Sequence, residues 1–383
     1  METQKTEAKD WYDHYHKIML ALPVIITIAL VVYIGFFYAQ HNDFIHRDVS
    51  LSGGTTITLN GGIETGDLES QIQKQFPDVS FRKLTDISTG KPVATIIESS
   101  ATPEQLKPAI ESILGYNLTD ANSSVEFAGP TLSQGFYSQL IRAVFISFVL
   151  MALVIFYLFG ESMFLKVLST ILSLAIVKLT FSDIFSISIL VVVAGLGFFI
   201  YGLYLAKKRL NYIYLSAAAL VLILSFIFQI YYLIIPIFLV LILIYLLTSI
   251  PSVAVISCAF ADIVWPLAIL DFFNVRISAA GIAAFLMLIG YSVDTDILLT
   301  TRAIKKQEGS LNLRILGAFK TGILMTSTAL LALLPAFFIV TGLPDSFRQI
   351  FLILAIGLGA DIINTWLTNA SLIKIYATKR GIK

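Results

Sequence analysis

The chain has 383 residues, of which 57% are hydrophobic and 13% charged, with a mean hydropathy of +0.84. Because soluble domains carry about 25% charged residues, this composition excludes a soluble globular protein, a disordered chain and a coiled coil, and it is typical of a polytopic membrane protein. The net charge of +1 gives no reason to expect a nucleic-acid partner, and the single cysteine, Cys258, excludes an intrachain disulfide.

Apolar stretches of about 20 residues predict about ten membrane-spanning helices. The first covers residues 18–39 and follows a short amino-terminal segment, residues 1–17. It is too long and too polar-flanked for a signal peptide, so we interpret it as a permanent anchor. Further spans are expected at 140–159, 163–181, 186–206, 212–228, 231–249, 252–272, 277–300, 314–340 and 349–373.

The polar region between the first two spans, about residues 40–138, is expected to form a small α+β domain. Period-two alternation predicts strands at 55–59, 79–84, 93–98 and 124–127, and helices are expected at 67–76 and 103–114. This β-α-β-β-α-β order matches the ferredoxin-like unit. Sequons begin at Asn117 and Asn122, and their use as glycosylation sites or their occurrence by chance is left open.

Lysine and arginine residues set the expected orientation. If the amino terminus is cytoplasmic, the outer loops hold only Arg276 and Arg348, and basic clusters such as Lys207-Lys208-Arg209 lie inside. We therefore expect a protein of the cell membrane with both termini in the cytoplasm and an extracytoplasmic polar domain.

Ionisable side chains at membrane depth are costly and indicate function. Asp294 lies eight residues before Arg302 and Lys320 six residues after Arg314, which places them roughly 12 Å and 9 Å from the same membrane edge. Lys320 is therefore expected to reach Asp294 or Asp296, which lie about 200° apart and cannot both face it. The alternative is that Lys320 extends to the inner surface and the acids form structural pairs. The candidate residues are Asp262, Asp294, Asp296, Lys320 and Asp361.

Motifs for the main classes of hydrolytic chemistry are missing from the sequence. It contains no H-E-x-x-H, no P-loop and no G-x-S-x-G, and the four histidines flank the first span without forming a metal-binding spacing. We therefore predict no enzyme activity, no cofactor and no metal site.

Residues 290–302 read GYSVDTDILLTTR, and this highly specific segment resembles the fourth-span signature of SecF, in its archaeal form. Residues 52–55 are similar to the family's entry into the outer domain, and residues 125–130 to the exit from it. Residues 319–328 and 360–366 resemble its fifth and sixth spans. The motif residues are Gly53, Gly54, Gly290, Tyr291, Ser292, Arg302 and Thr321.

The resemblance implies a six-span core of the RND superfamily that assists protein export with the proton motive force. The implied partners are a SecD-like subunit, the Sec channel, translocating polypeptides and membrane lipid, and no nucleic acid is expected. Asp294, Asp296 and Lys320 would form the proton relay, with Asp262 and Asp361 as further candidates. The alternative is a stand-alone proton-coupled permease of the same superfamily that exports a small molecule or lipid.

The chain departs from this family at several positions. Bacterial relatives carry Asn-Asp-Thr at residues 294–296 and Arg at Lys320, so which of the two aspartates titrates is open. The family's usual Asp is replaced by Ser50. Residues 161–251 add about four spans between the second core span (139–160) and the remaining core (252–374), which a tail (375–383) follows. Residues 173–184 echo residues 252–263, by partial duplication or by chance.

Overall fold

A computed structural model describes residues 2–61, 66–85, 89, 91–181, 234–305, 309–339 and 345–382. The expected spans at 186–206 and 212–228 lie outside these residues, as do the first three residues of the span at 231–249. All structural statements below concern the described part of the chain.

Helices dominate the fold. They are α1 (Glu2–His41), α2 (Val49–Ser52), α3 (Gly66–Gln75), α4 (Pro103–Leu114), α5 (Pro130–Phe159), α6 (Met163–Phe181), α7 (Ile234–Thr248), α8 (Ile250–Phe272), α9 (Ala279–Ile304), α10 (Leu311–Ile339), α11 (Asp345–Ile363), a π-helix (Asn364–Asn369) and α12 (Ala370–Lys379).

Seven stretches of helix in the described ranges are long and apolar enough to cross a membrane, and α7 contains a shorter apolar helix. The seven are Tyr15–His41, Pro130–Phe159, Met163–Thr180, Ile250–Phe272, Ala279–Ile304, Leu311–Phe338 and Arg348–Lys379. The chain is therefore a multi-pass membrane protein. Each span expected within the described ranges coincides with a helix.

Some helix boundaries differ from the expectation. Helix α5 begins at Pro130, ten residues before the predicted span, because Gly129 precedes a proline at the first helical position, where no backbone N–H is needed. The break expected near residue 249 is confirmed, since the Ser249 hydroxyl accepts a hydrogen bond from the Ser252 backbone N–H at 3.4 Å and so begins α8.

The polar region folds as the sequence predicts, in the order β-α-β-β-α-β. Strands β1 (Gly54–Asn60), β2 (Ser80–Thr85), β3 (Pro92–Ser99) and β4 (Ser123–Ala128) form an antiparallel sheet in the order β2-β3-β1-β4. Ile57 on β1 pairs with Ile97 on β3 and with Val125 on β4. We call residues 54–128 the sheet domain.

The sheet domain has its own apolar core on one face of the sheet. Ile57 and Leu59 alternate along β1 and are fully buried, as are Ile72 of α3 and Ile110 of α4. An antiparallel sheet needs cover on only one face, so two short amphipathic helices suffice to bury these side chains.

Contacts of Glu98, and of the segment that leads into the sheet domain, fix this domain to the helical bundle. The Ile277 N–H donates to the His46 carbonyl at 2.6 Å, and the Asp48 N–H donates to the Ile277 carbonyl at 3.0 Å. Glu98 on β3 is buried and forms ion pairs with Arg82 of β2 and, at 3.5 Å, with Arg276 of the segment between α8 and α9. One carboxylate therefore links the sheet to the bundle. We call this end of the bundle its sheet-side end.

The bundle is centred on α9 and α11, which pack against each other and against α8 and α10. Helices α6 and α7 lie to one side and bury a separate apolar cluster against Val149, Ala152 and Phe156 of α5. The inserted region that is described is therefore peripheral, and the four central helices enclose the polar residues considered next.

Candidate functional site

Three aspartates meet inside the central bundle. Asp262 comes from α8, Asp296 from α9 and Asp361 from α11, and their relative exposures are 1%, 0% and 0%. We call these three residues the acid cluster. An ionised carboxylate so deep in an apolar bundle is costly unless neighbouring groups stabilise it, so the contacts of each oxygen matter.

Helical periodicity brings the partners of the acid cluster to the same place. Ser292, Thr295 and Asp296 are spaced i, i+3 and i+4 on α9, so they share one face, and all three are buried. On the last span, Asp361 and Thr365 have the same i, i+4 relation. These two faces meet because α9 packs on α11.

Asp361 is surrounded by hydroxyl groups. Its Oδ1 lies 2.9 Å from Thr295 Oγ1 and 3.0 Å from Thr365 Oγ1, and its Oδ2 lies 3.4 Å from Thr326 Oγ1 of α10. Thr295 Oγ1 also lies 2.8 Å from the Ser292 carbonyl oxygen, which can only accept. The single proton of Thr295 therefore serves either the carbonyl or the carboxylate.

Asp296 shares a hydroxyl with Asp361. Thr365 Oγ1 lies 2.9 Å from Asp296 Oδ1, and Asn369 Nδ2 donates to the same oxygen at 2.7 Å. One hydroxyl carries one proton, so Thr365 cannot donate to two carboxylates at once. Both contacts are satisfied when one of the two carboxyls is protonated and donates to Thr365 Oγ1.

Asp262 forms the third part of the cluster. The Ser292 hydroxyl donates to its Oδ2, and Asn364 Nδ2 donates to its Oδ1 at 2.7 Å. Pro266, four residues later, has no N–H to donate to the Asp262 carbonyl oxygen, so the helix leaves a further acceptor beside this acid.

A π-helix in the last span supplies several of these partners. Asn364, Thr365 and Asn369 all belong to it and all are buried. Single π turns inside α-helices often occur at functional sites. Sequence reasoning identified the aspartates but missed these residues and Thr295 as their partners; the i, i+4 spacing of Asp361 and Thr365 was the available signal.

The predicted pairing of Lys320 with Asp294 or Asp296 is not found. Both Asp294 and Lys320 are exposed on the surface of the described bundle, and neither makes an ion pair there. The prediction used depth along the helix axes, which fixes height but not the direction around each axis. As the helical geometry requires, Asp294 and Asp296 point to different sides, and only Asp296 joins the acid cluster.

The other motif residues shape the backbone around the site. Arg302 Nη1 donates to the Gly317 carbonyl at 2.9 Å and to Thr321 Oγ1 at 3.0 Å, which ties α9 to α10. Tyr291 is exposed, and a Cβ atom on Gly290 would meet no atom within 4 Å. These two residues therefore line an open face of α9.

Gly53 and Gly54 stand where the chain enters the sheet domain. Both have positive φ, 85° and 131°. A Cβ atom on Gly53 would overlap the backbone of Pro130, and one on Gly54 would overlap the Ser99 carbonyl oxygen. The glycines let the entry to the sheet domain touch its exit.

Within the described ranges, no group of three or more His, Cys, Asp and Glu side chains could hold a metal ion. The donors around the acid cluster are hydroxyl, amide and thiol groups, and Cys258 Sγ contacts the Asn364 carbonyl at 3.5 Å. The site therefore holds carboxylates among neutral donors, an arrangement suited to binding and passing protons.

Comparison with known proteins identifies the region that contains this site. Residues 214–379 match the family described as protein export membrane protein SecD/SecF, C-terminal. This part of the chain is therefore similar to the SecD/SecF carboxyl-terminal domain. The resemblance that the sequence motifs predict is therefore confirmed, and all three aspartates of the acid cluster lie within the matched residues.

Archaeal proteins named SecF are also similar to this chain. The chain is 49% identical over 133 residues to the protein-export membrane protein SecF of Methanolacinia petrolearia, a match covering 34% of this chain and 47% of that relative. It is 45% identical over 136 residues to the SecF of Methanothermobacter thermautotrophicus, again with 34% and 47% coverage. The chain thus spans about half the length of these curated relatives, which are shorter than it is.

One solved structure shares its fold with most of the chain. It is the crystal structure of SecDF, a translocon-associated membrane protein from Thermus thermophilus, at 13% identity and a TM-score of 0.50. The match covers 95% of this chain and 38% of that one. At this identity the likeness concerns the fold alone.

Proposed function

We propose that this chain is a SecF-like accessory subunit of the Sec translocase, which assists protein export together with a SecD-like subunit and the Sec channel. The family match over residues 214–379 and the archaeal SecF relatives support an export role. In this proposal the chain is not an enzyme, and the proton gradient drives its work through the acid cluster.

The hydrogen-bond inventory of the acid cluster is the observation that carries the proton proposal. Thr365 Oγ1 lies within 3.0 Å of oxygens from both Asp296 and Asp361 but has one proton. Asp296 Oδ2 is buried and has no hydrogen-bond partner among the described residues. A buried polar atom without a partner costs about 1–3 kcal/mol, so a carboxyl proton in this cluster is favourable.

The same contacts define a short transfer path. A proton on Asp361 Oδ1 passes to Thr365 Oγ1 while the hydroxyl proton of Thr365 passes to Asp296 Oδ1, so one proton enters and one leaves. Asp262 joins through the Ser292 hydroxyl, which donates to Asp262 and also contacts Asp361. The relay thus needs no cation in the cluster.

Charged residues on the open surface of the bundle support a partner subunit. Asp294 and Lys320 are exposed on membrane-spanning helices, where contact with lipid is unfavourable for a charge. A SecD-like subunit covering this face would supply polar neighbours for both side chains. Gly290 leaves room for close approach of a second helix.

We also propose the finer architecture predicted from the sequence. It has about ten spans, with a six-span core and about four inserted at residues 161–251, a ferredoxin-like sheet domain outside the membrane and both termini in the cytoplasm. The strand order β2-β3-β1-β4 and the shorter archaeal relatives support the fold and the insertion. Single cysteines at Asp120 and Arg380, in a chain with Cys258→Ala, should label from opposite sides; labelling from one side would contradict the orientation.

The proposed function is tested with Asp296→Asn and Asp361→Asn together. Asparagine keeps the size of the side chain but cannot carry the proton, so pulse-labelled secretion in cells lacking their own copy should be lost at normal membrane abundance. Asp120→Asn, an exposed substitution in the sheet domain, is the control and should leave secretion unchanged. Normal secretion by the double variant would contradict the relay.

Co-purification distinguishes the partner proposal from a stand-alone permease. The affinity-purified chain in mild detergent should retain a SecD-like polytopic protein. A monodisperse homo-oligomer that transports a small molecule without that partner would favour the permease.

A further inference from the structure

A second group of buried polar residues lies at the sheet-side end of the bundle, outside the acid cluster. Asp271, at the end of α8, is 1% exposed, and no side chain of the described residues donates a hydrogen bond to its carboxylate. His46, between α1 and α2, has a buried Nε2 atom that also lacks a partner within the described ranges. Two such groups in one place need an explanation, because each is costly.

The surroundings of Asp271 contain several ionisable groups. Asp271 interacts electrostatically with Asp43, and with Tyr33 of α1 and Tyr137 of α5. Tyr137 Oη donates to Asp43 Oδ1 at 2.6 Å, and Arg47 Nε lies 2.5 Å from Asp43 Oδ2. Arg47 also stacks over the Tyr137 ring at 4.8 Å. Asp43 is thus neutralised by Arg47.

The histidine side of this group is held by ring contacts. The His46 ring meets the His41 ring at 5.3 Å and the Phe37 ring at 4.7 Å. Burial lowers the pKa of His46, and the neighbouring His41 and Arg276 lower it further; the Asn274 side chain acts in the opposite direction but does not outweigh them, so the imidazole is neutral over most of the physiological range. His46 therefore brings no positive charge to Asp271, whose carboxylate faces the His46 backbone N–H.

The position of Asp271 relates it to the acid cluster. It lies nine residues from Asp262 on the same helix, about 14 Å along the axis at the helical rise. Segments from α1, α5 and α8 converge on it at the bundle end that carries the sheet domain. Under the proposed orientation this is the side from which protons enter.

We propose that Asp271 is a proton-binding site that loads the acid cluster from the extracytoplasmic side, with His46, Asp43 and Tyr137 as its polar surroundings. A hydronium ion gives its proton to one Asp271 carboxylate oxygen and becomes water; departure of that proton toward Asp262 restores the carboxylate. No other bond changes. This inference rests on the proposed function for its direction, but proton binding at Asp271 can be tested without it.

Infrared difference spectra of the purified full-length chain, recorded between acidic and alkaline buffer, test proton binding directly. A protonated carboxyl C=O band should disappear in Asp271→Asn and shift in Asp271→Glu, while Asp120→Asn leaves it unchanged. If Asp271→Asn does not accumulate, the Asp271→Glu spectrum decides. A spectrum identical to the wild type in either variant overturns the inference.

Secretion at different external pH tests loading. Asp271→Asn should secrete several-fold less than the wild type at alkaline external pH and recover as the medium is acidified, and Asp271→Glu should secrete normally. A defect of equal size at every pH, or no defect, overturns the loading role. If the double variant of the acid cluster secretes normally, the proposed function fails. The infrared band still shows independently whether Asp271 binds a proton.

Discussion

Buried acids in two regions of this molecule are stabilised in different ways. In the acid cluster, the described partners of the carboxylates are hydroxyl and amide groups. At the junction with the sheet domain, Glu98 is held between Arg82 and Arg276. A fixed cation stabilises the charged form of a carboxylate, whereas neutral donors allow a proton to come and go. The ion pairs of Glu98 serve attachment, and the neutral donors of the acid cluster serve proton transfer.

The largest effect is expected from Thr365→Val, which removes the hydroxyl shared by Asp296 and Asp361. If the acid cluster transfers protons, secretion should be lost although all three aspartates remain. Pulse-labelled secretion at equal membrane abundance measures this. Thr328→Val is the matched control, since among the described residues its exposed hydroxyl contacts only the Met325 carbonyl. If secretion in both variants depends only on the amount of protein in the membrane, the acid cluster is a structural element like the junction and does not transfer protons.

A smaller effect is expected from Arg276→Gln at the junction. Glu98 keeps Arg82 but loses one cation, so the free energy of unfolding should fall by roughly 1–3 kcal/mol while secretion per folded molecule changes little. Thermal unfolding of the purified chain measures it. Arg380→Gln breaks an exposed pair with Glu161 and should cost less than about 1 kcal/mol. Equal losses of unfolding free energy in the two variants would contradict the expectation that the buried ion pair contributes more than the exposed one.

The smallest effect is a pH dependence of opposite sign at two acids of the sheet domain. Burial raises the pKa of Glu98 above 4.5 although Arg82 opposes it. Burial also acts to raise the pKa of Asp78, but hydrogen bonds from Ser100 and Ser99 outweigh it and lower that pKa below 3.8.

The sign follows from which state binds the proton more tightly. Glu98 binds its proton more tightly in the folded state than in the unfolded state. Its contribution to stability is therefore present below pH 4.5 and is lost as the pH rises through its raised folded pKa. Asp78 contributes above pH 3.8, and this is lost as the pH falls through its lowered folded pKa. Thermal unfolding at several pH values should show Glu98→Gln and Asp78→Asn flattening opposite limbs of the stability curve. The same limb changing in both variants would refute the assignment.

The sequence predicted the regular elements well because their signals are local. Alternation of Ile57 and Leu59 along one strand is visible in the sequence, and so is the Thr102-Pro103 start of α4. The aspartates of the acid cluster were found because a charge in an apolar span is conspicuous.

The partners of those aspartates could not be found in the same way. Thr295, Thr365 and Asn369 are ordinary residues of apolar helices until packing decides which face is inward. The same uncertainty about rotation around the helix axis made the pairing of Lys320 with Asp294 or Asp296 wrong. A π turn adds to the difficulty because it changes the angle between residues before and after it.

The junction between α5 and α8 has a consequence for how this chain can be rebuilt. The Ser249 hydroxyl donates to the Phe159 carbonyl at 3.3 Å, so the chain departs from the core and returns to it at one point. The two ends of the intervening segment are therefore adjacent, as in an inserted module. A short linker from Phe159 to Ser249 would close the gap without moving α5 or α8. The intervening helices are therefore removable in principle, and the shortened chain would approach the length of its archaeal relatives.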